Sequence, residues 1–160
     1  MKKTLVLYYS ATGTTKKVAE EIAVKLDADI TAVHPQKPYT TADLNWHDDN
    51  SRTTFEQHEH GYRVEIKDDL PDISGYDNII IGHPIWWAIP PRMFSAVIDH
   101  LDLNGKNVAL FATSDITGYE RAQSYMERAI KKNGDDVKLG QGAVLNSRQQ
   151  LNDWLAKLAF

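Results

Sequence analysis

Thr4-Leu5-Val6-Leu7-Tyr8-Tyr9-Ser10-Ala11-Thr12-Gly13-Thr14-Thr15-Lys16-Lys17-Val18-Ala19-Glu20-Glu21-Ile22-Ala23-Val24-Lys25-Leu26 decides the fold, because within it one hydrophobic period gives way to another. Leu5 to Tyr9 form a continuous apolar run rich in strand-favouring residues, the pattern of a parallel strand covered on both faces. Val18, Ala19, Ile22, Ala23 and Leu26 then recur at helical spacing, which predicts a helix over residues 15–26 with one stripe facing a sheet. Between the two, Ser10, Thr12, Thr14 and Thr15 place hydroxyls around Gly13. The unpaired N–H groups and positive dipole end of the helix aim at this loop, so it suits an anion. Gly13 permits a tight turn or a close ligand approach. Ser and Thr are also good helix caps, so a loop that only caps the helix is the competing reading. Lys16 and Lys17 are expected on its solvated face.

The loop has neither the P-loop spacing nor a Gly-x-Gly-x-x-Gly fingerprint, which removes the main support for nucleotide hydrolysis and for dinucleotide binding. A phosphomonoester held by hydroxyls and amides remains. The 160 residues suit one domain, spanning 1–160, able to bury roughly 70% of its unfolded surface. With no cysteine, disulfides, thiolate metal sites and thiol redox chemistry are excluded. A net charge of −4 without a Lys/Arg run disfavours nucleic acid as a partner. Met1-Lys2-Lys3 before an apolar run imitates a signal peptide, but the run ends at Tyr9, and no stretch reaches membrane-spanning length. The expectation is a soluble, cytoplasmic protein with no membrane association.

Further along, Ile30-Thr31-Ala32-Val33 is a strand candidate stopped by His34-Pro35. Residues 36–69 are the least legible part. Thr41 is a candidate cap for a helix through Ala42-Asp43-Leu44, and a long connection of this kind is usually functional or structured. His58-Glu59-His60 lacks any recognised metal-ligand spacing, so no metal site is expected. Asn78-Ile79-Ile80-Ile81-Gly82-His83 is a second buried strand, and prolines make residues 84–91 a loop. Pro91 suits the start of a helix over 92–101. Val108-Ala109-Leu110-Phe111-Ala112 is a third buried strand, followed by a polar loop over 113–118 and a helix over 119–132. Val137 to Leu139, with a possible extension through Ala143-Val144-Leu145, gives the last strand. Ser147 with Gln150 has capping-box spacing for a final helix. Strands alternating with helices predict an α/β fold with a parallel, doubly wound sheet of five strands.

In such sheets ligands bind beyond the carboxyl ends of the strands, where the strand order reverses. Three polar or aromatic loops leave such ends here, at residues 10–15, 84–88 and 113–118. Two adjacent tryptophans in a proline-rich loop expose costly aromatic surface unless it is covered. Trp86 and Trp87 point different ways: one can pack inward while the other stacks on a planar ring, or both can be packing residues. An aromatic ring system carrying a phosphomonoester fits the combination, and FMN is that kind of molecule.

Tyr8-Tyr9-Ser10-Ala11-Thr12-Gly13-Thr14-Thr15-Lys16-Lys17-Val18-Ala19 resembles the flavodoxin family, in its short-chain branch. So do Tyr76-Asp77-Asn78-Ile79-Ile80-Ile81-Gly82-His83-Pro84-Ile85-Trp86-Trp87, and Gly105-Lys106 leading to Phe111-Ala112-Thr113-Ser114. The resemblance covers almost the whole chain. It implies a three-layer flavodoxin-like fold with strand order 2-1-3-4-5. It further implies that Ser10, Thr12, Gly13, Thr14 and Thr15 bind the FMN phosphate, that Pro84, Ile85, Trp86, Trp87 and Ala88 line one flavin face, and that Thr113, Ser114 and Gly118 approach the other side.

One departure is the third loop, where Asp115 and Ile116 replace the Gly/Ser-rich sequence common in relatives. Asp115 either lies near the flavin, where its charge would lower the potential, or caps a turn or the following helix. His83 either touches the flavin or only closes its strand. Two functions compete. An electron carrier passes electrons between partner proteins, a reductase and an acceptor, through a non-covalently bound flavin. An FMN-dependent NAD(P)H:quinone oxidoreductase must also admit a nicotinamide and a quinone. The short chain and the lack of a second nucleotide motif favour the carrier.

Overall fold

The computed structural model describes residues 3–115, 117–158 and 160. The chain runs β1 (Thr4–Tyr8), α1 (Thr14–Leu26), β2 (Asp29–Ala32), α2 (Arg52–His58), β3 (Asn78–Pro84), α3 (Met93–His100), β4 (Asn107–Thr113), α4 (Glu120–Asn133), β5 (Lys138–Leu139), β6 (Ala143–Val144) and α5 (Arg148–Ala156). All strand pairs are parallel, in the order β2-β1-β3-β4-β5, with β6 also paired to β4. The anticipated order holds, but the fifth position is divided. Two two-residue strands flank Gly140-Gln141-Gly142, where the glycines and Gln141 make no ladder.

Strand alternation sorts the apolar runs into two cores. Leu5, Leu7 and Tyr9 share one side with Ile79, Ile81, Val108, Leu110 and Ala112, under the inner stripes of α3 and α4. Val6, Tyr8, Ile80, Ala109 and Phe111 face the other way, against Ala19, Ile22 and Ala23 of α1 and Leu151 and Trp154 of α5. Each fully covered branched or aromatic side chain contributes about 1.5–3 kcal/mol of apolar burial. Central strands buried on both faces follow directly, and so does a three-layer α/β architecture. None of the described helices is long and apolar enough to cross a membrane.

Predicted boundaries shift in three informative places. Pro84, expected in the loop, is the last residue of β3, opposite Thr113. At a strand end its missing N–H costs no ladder bond, and the next N–H, of Ile85, donates to Thr113 O at 3.2 Å. The expected cap at Thr41 is made one residue earlier. Thr40 Oγ1 accepts from Asp43 N–H at 3.1 Å while Asp43 Oδ2 accepts from Thr40 N–H at 3.0 Å, a reciprocal box around a single turn. At α5, Ser147 Oγ accepts from Gln150 N–H at 3.1 Å as expected, whereas the Gln150 side chain reaches Asn146 N–H at 2.7 Å.

Candidate functional site

The sheet order reverses between β1 and β3, and the loops after β1, β3 and β4 meet beyond their carboxyl ends. In the first loop, Gly13 is the N-cap of α1 with φ 95°, a left-handed conformation that disfavours a side chain. No side chain caps this helix, so the threonines are not there for that purpose. Ser10 Oγ instead accepts from Gly13 N–H at 3.0 Å and folds the loop over the helix start. Thr12 and Thr14 are exposed with their hydroxyls 3.5 Å apart. Thr15 is buried, and its hydroxyl lies 2.8 Å from that of Thr113, tying the first loop to the third. Lys16 and Lys17 are exposed, as expected for the solvated face.

The second loop is a tight hairpin. Trp86 and Ile89 form an antiparallel bridge, Trp86 N–H donating to Ile89 O at 2.9 Å. The intervening Trp87 and Ala88 have φ of 52° and 71°, sparsely populated for residues with side chains. Such backbone persists only where its surroundings hold it, and it concentrates at functional loops. The holder is Gln57 of α2, 4% exposed. Its Nε2 donates to Trp86 O at 3.0 Å and Pro90 O at 3.1 Å, and its Oε1 accepts from Arg92 N–H at 3.0 Å. The Arg92 guanidinium returns a bond to Gln57 O at 3.0 Å.

The two tryptophans part company. Trp86 packs inward, edge-on to Tyr9 and Tyr39 with ring centres 6.0 and 5.3 Å away. Trp87 turns outward, its ring 5.0 Å from that of His58. Behind Trp86, Tyr39 donates its phenol O–H to Glu56, and Arg52 holds Glu56 at 2.8 Å while covering the Tyr39 ring at 3.9 Å. Burial pushes the Tyr9 phenol up to about 12, and burial with the Glu56 bond raises Tyr39 further. Both phenols therefore stay protonated and neutral across the physiological range.

In the third loop, Ser114 N–H donates to Asn146 Oδ1 at 3.3 Å, and Ser114 Oγ accepts from Thr117 N–H at 3.2 Å. The turn is thus closed by Ser114 rather than Asp115, which is exposed, and α4 begins without a side-chain cap. Gly118 is exposed, and a Cβ there would fall 2.5 Å from Glu120 Oε2. Ile116 lies outside the described residues.

His83 closes its strand from within the core. It is wholly buried; its Nδ1–H donates to Pro84 O at 2.8 Å, which leaves Nε2 to accept from the Tyr119 O–H at 2.8 Å. Burial pushes the imidazole down to about 4. The unfolded chain therefore takes up a proton near the ordinary histidine value that the folded chain refuses. Stability from this group is complete above about pH 6.5 and is lost as pH falls toward 4, amounting to about 2 kcal/mol between pH 7 and pH 5. Urea unfolding at the two pH values should show that loss in the wild type and a correspondingly smaller one in His83→Gln. Equal losses in both proteins would remove His83 from the pH response.

Residues 3–158 match the family described as flavodoxin. The chain belongs to the flavodoxin family. A candidate flavoprotein of Bacteroides eggerthii DSM 20697, solved by crystallography, is 33% identical, with 100% of this chain and 99% of that one covered and a TM-score of 0.90. A second from Bacteroides uniformis ATCC 8492 is 37% identical over 98% and 99% of the two chains, TM-score 0.88. A flavoprotein of Lactobacillus acidophilus NCFM, crystallised in complex with FMN, is 26% identical over 97% and 99%, TM-score 0.70. No curated protein matches the chain. Within this flavodoxin-family fold, sequence reasoning missed Gln57, Tyr39 and Asn146. Tyr39 stands in a Pro-Tyr-Thr-Thr stretch and Asn146 directly precedes a capping serine; for Gln57 the sequence carries no local signal.

Proposed function

We propose that the chain binds FMN non-covalently and works as an electron carrier between a reductase and an acceptor protein. The observation that carries the FMN part of this reading is the uncapped N-terminus of α1 beneath Gly13 and the exposed hydroxyls of Thr12 and Thr14, while the short chain without a second nucleotide motif favours the carrier role. The donor set fits a phosphomonoester. Loop residues 10–15 contain hydroxyls and amides and no carboxylate, and a Cβ built on Gly13 meets nothing within 4 Å, so the backbone there is open to a ligand. Ser10, Thr12, Gly13, Thr14 and Thr15 would hold the phosphate. The hairpin with Pro84, Ile85, Trp86, Trp87 and Ala88 would cover one face of the ring, and Thr113, Ser114 and Gly118 would meet the other. When bound, FMN supplies reversible electron transfer through its ring system. The protein's part is to exclude water with the tryptophan hairpin, to present neutral phenols from Tyr9 and Tyr39 beneath it, and to keep Asp115 in solvent.

Thr14→Ala should weaken FMN binding by roughly 1.5–3 kcal/mol, the range for a hydrogen bond to a charged group. The check is a titration of FMN fluorescence with the apoprotein; unchanged affinity would take Thr14 out of the site. The visible spectrum of the FMN-loaded protein under anaerobic conditions then separates carrier from enzyme. A carrier stays oxidised with NADH or NADPH and accepts electrons from a flavodoxin reductase. Rapid bleaching by nucleotide and recovery with a quinone would instead make it an NAD(P)H:quinone oxidoreductase.

A further inference from the structure

A groove of about 640 Å³ lies on the outer side of the tryptophan hairpin, a volume within the range of small-molecule sites. Its walls are aromatic: Trp46, Phe55 and Trp87, with the His58 ring edge-on to Trp87. Trp46 and Phe55 are 64% and 54% exposed, although α2 buries Glu56 and Gln57 on its other face. The Trp46 indole is backed by the His47 ring at 3.7 Å. Aromatic surface held open in this way is costly in solvent and marks a contact site.

The charge in the groove has one sign. Asp49 and Glu59 line it, and no lysine or arginine does among the described residues. The cation of α2, Arg52, is engaged with Glu56 and the Tyr39 ring. His58 spends its Nδ1–H on Thr54 O at 2.7 Å. Negative ring faces beside carboxylates attract a delocalised cation and repel phosphates and sulfonates.

We propose that this groove binds a planar aromatic cation, an N-alkylated heteroaromatic ring, between Trp46, Phe55 and Trp87. The site goes beyond the flavin reading and shares with it only Trp87, whose outward ring forms one wall. A dinucleotide with its diphosphate is the wrong charge for this groove.

The test is isothermal titration calorimetry of the full chain at pH 7, FMN-loaded where it takes FMN up, with three probes on one fused two-ring frame: N-methylquinolinium, neutral quinoline and naphthalene-2-sulfonate. The cation should bind saturably, at least tenfold tighter than the sulfonate. Trp46→Ala should weaken it at least fivefold. Asp49→Asn combined with Glu59→Gln should weaken the cation severalfold and leave the neutral probe within twofold. All three changed side chains are exposed, and urea midpoints check that the variants remain folded. Equal or tighter sulfonate binding, no saturation at millimolar cation, or variants with unchanged cation affinity would each overturn the site. FMN titration of the same protein keeps the two readings apart, because cation binding by a chain that takes up no FMN supports the groove and defeats only the flavin proposal.

Discussion

Gln57→Leu is expected to lower the unfolding free energy by about 4 kcal/mol and to loosen the tryptophan hairpin. Leucine fills the space but offers neither donor nor acceptor. Pro90 O and Arg92 N–H each lose the Gln57 side chain as partner, and Trp86 O keeps only the longer bond from Ile89 N–H at 3.4 Å. A buried polar group left unmatched costs about 1–3 kcal/mol, and here two are orphaned and a third is weakened. The hairpin holds two non-glycine residues at positive φ, so losing its anchor leaves the Trp86–Ile89 bridge to hold that backbone without the α2 side chain. Urea unfolding at pH 7 gives the stability, and tryptophan emission reports whether Trp86 and Trp87 become more solvated. A loss below 1 kcal/mol with unaltered emission would show that the hairpin stands by itself.

Gly82→Ala should cost at least about 3 kcal/mol, at or beyond the upper end for overpacking a core. Gly82 is in the middle of the sheet, flanked by Tyr8 and Phe111. A Cβ there would lie 2.1 Å from Phe111 Cζ and 2.3 Å from Cε1. The ring has little room to retreat, because Phe111 is fully buried and packs against Trp154 with centres 5.9 Å apart. The second variant, Gly82→Ala with Phe111→Leu, shortens the obstructing side chain and should recover 1 kcal/mol or more relative to Gly82→Ala alone. Thermal or urea unfolding decides; full stability in the single variant would mean that the strands shift apart without penalty.

What the sequence disclosed was whatever depends on local period and local chemistry. The runs Leu5–Tyr9, Ile79–Ile81 and Val108–Ala112 read as strands covered on both faces, and the switch to helical spacing after Gly13 placed an anion-suited loop at a helix start. Pro84 and Thr40 moved by a residue because strand ends and caps depend on which N–H groups need partners, a question that composition leaves open. Gln57 was invisible for a deeper reason. Its function is defined by carbonyls 29 and 33 residues away, and its own neighbours Phe55 and His58 face solvent and groove. The tryptophan pair lay between: two packing directions were foreseeable from adjacency, but the Trp87 and Ala88 conformation depends on an anchor from α2.

The divided edge of the sheet gives the loops beyond the strand ends a gradient of local opening. β5 and β6 pair with β4 through two residues each, Asn107↔Lys138 with Val108↔Leu139 and Phe111↔Ala143 with Ala112↔Val144. Short ladders open before long ones, and the central β1–β3–β4 ladders are paired over five and seven residues. Asn146, which supports Ser114, follows the short β6, whereas the loop after β1 leaves a strand paired over four residues with β2 and five with β3. Amide protons of β5 and β6 are therefore expected to exchange before those of β1, β3 and β4, and the segment that carries Asn146 can open while the central ladders stay closed.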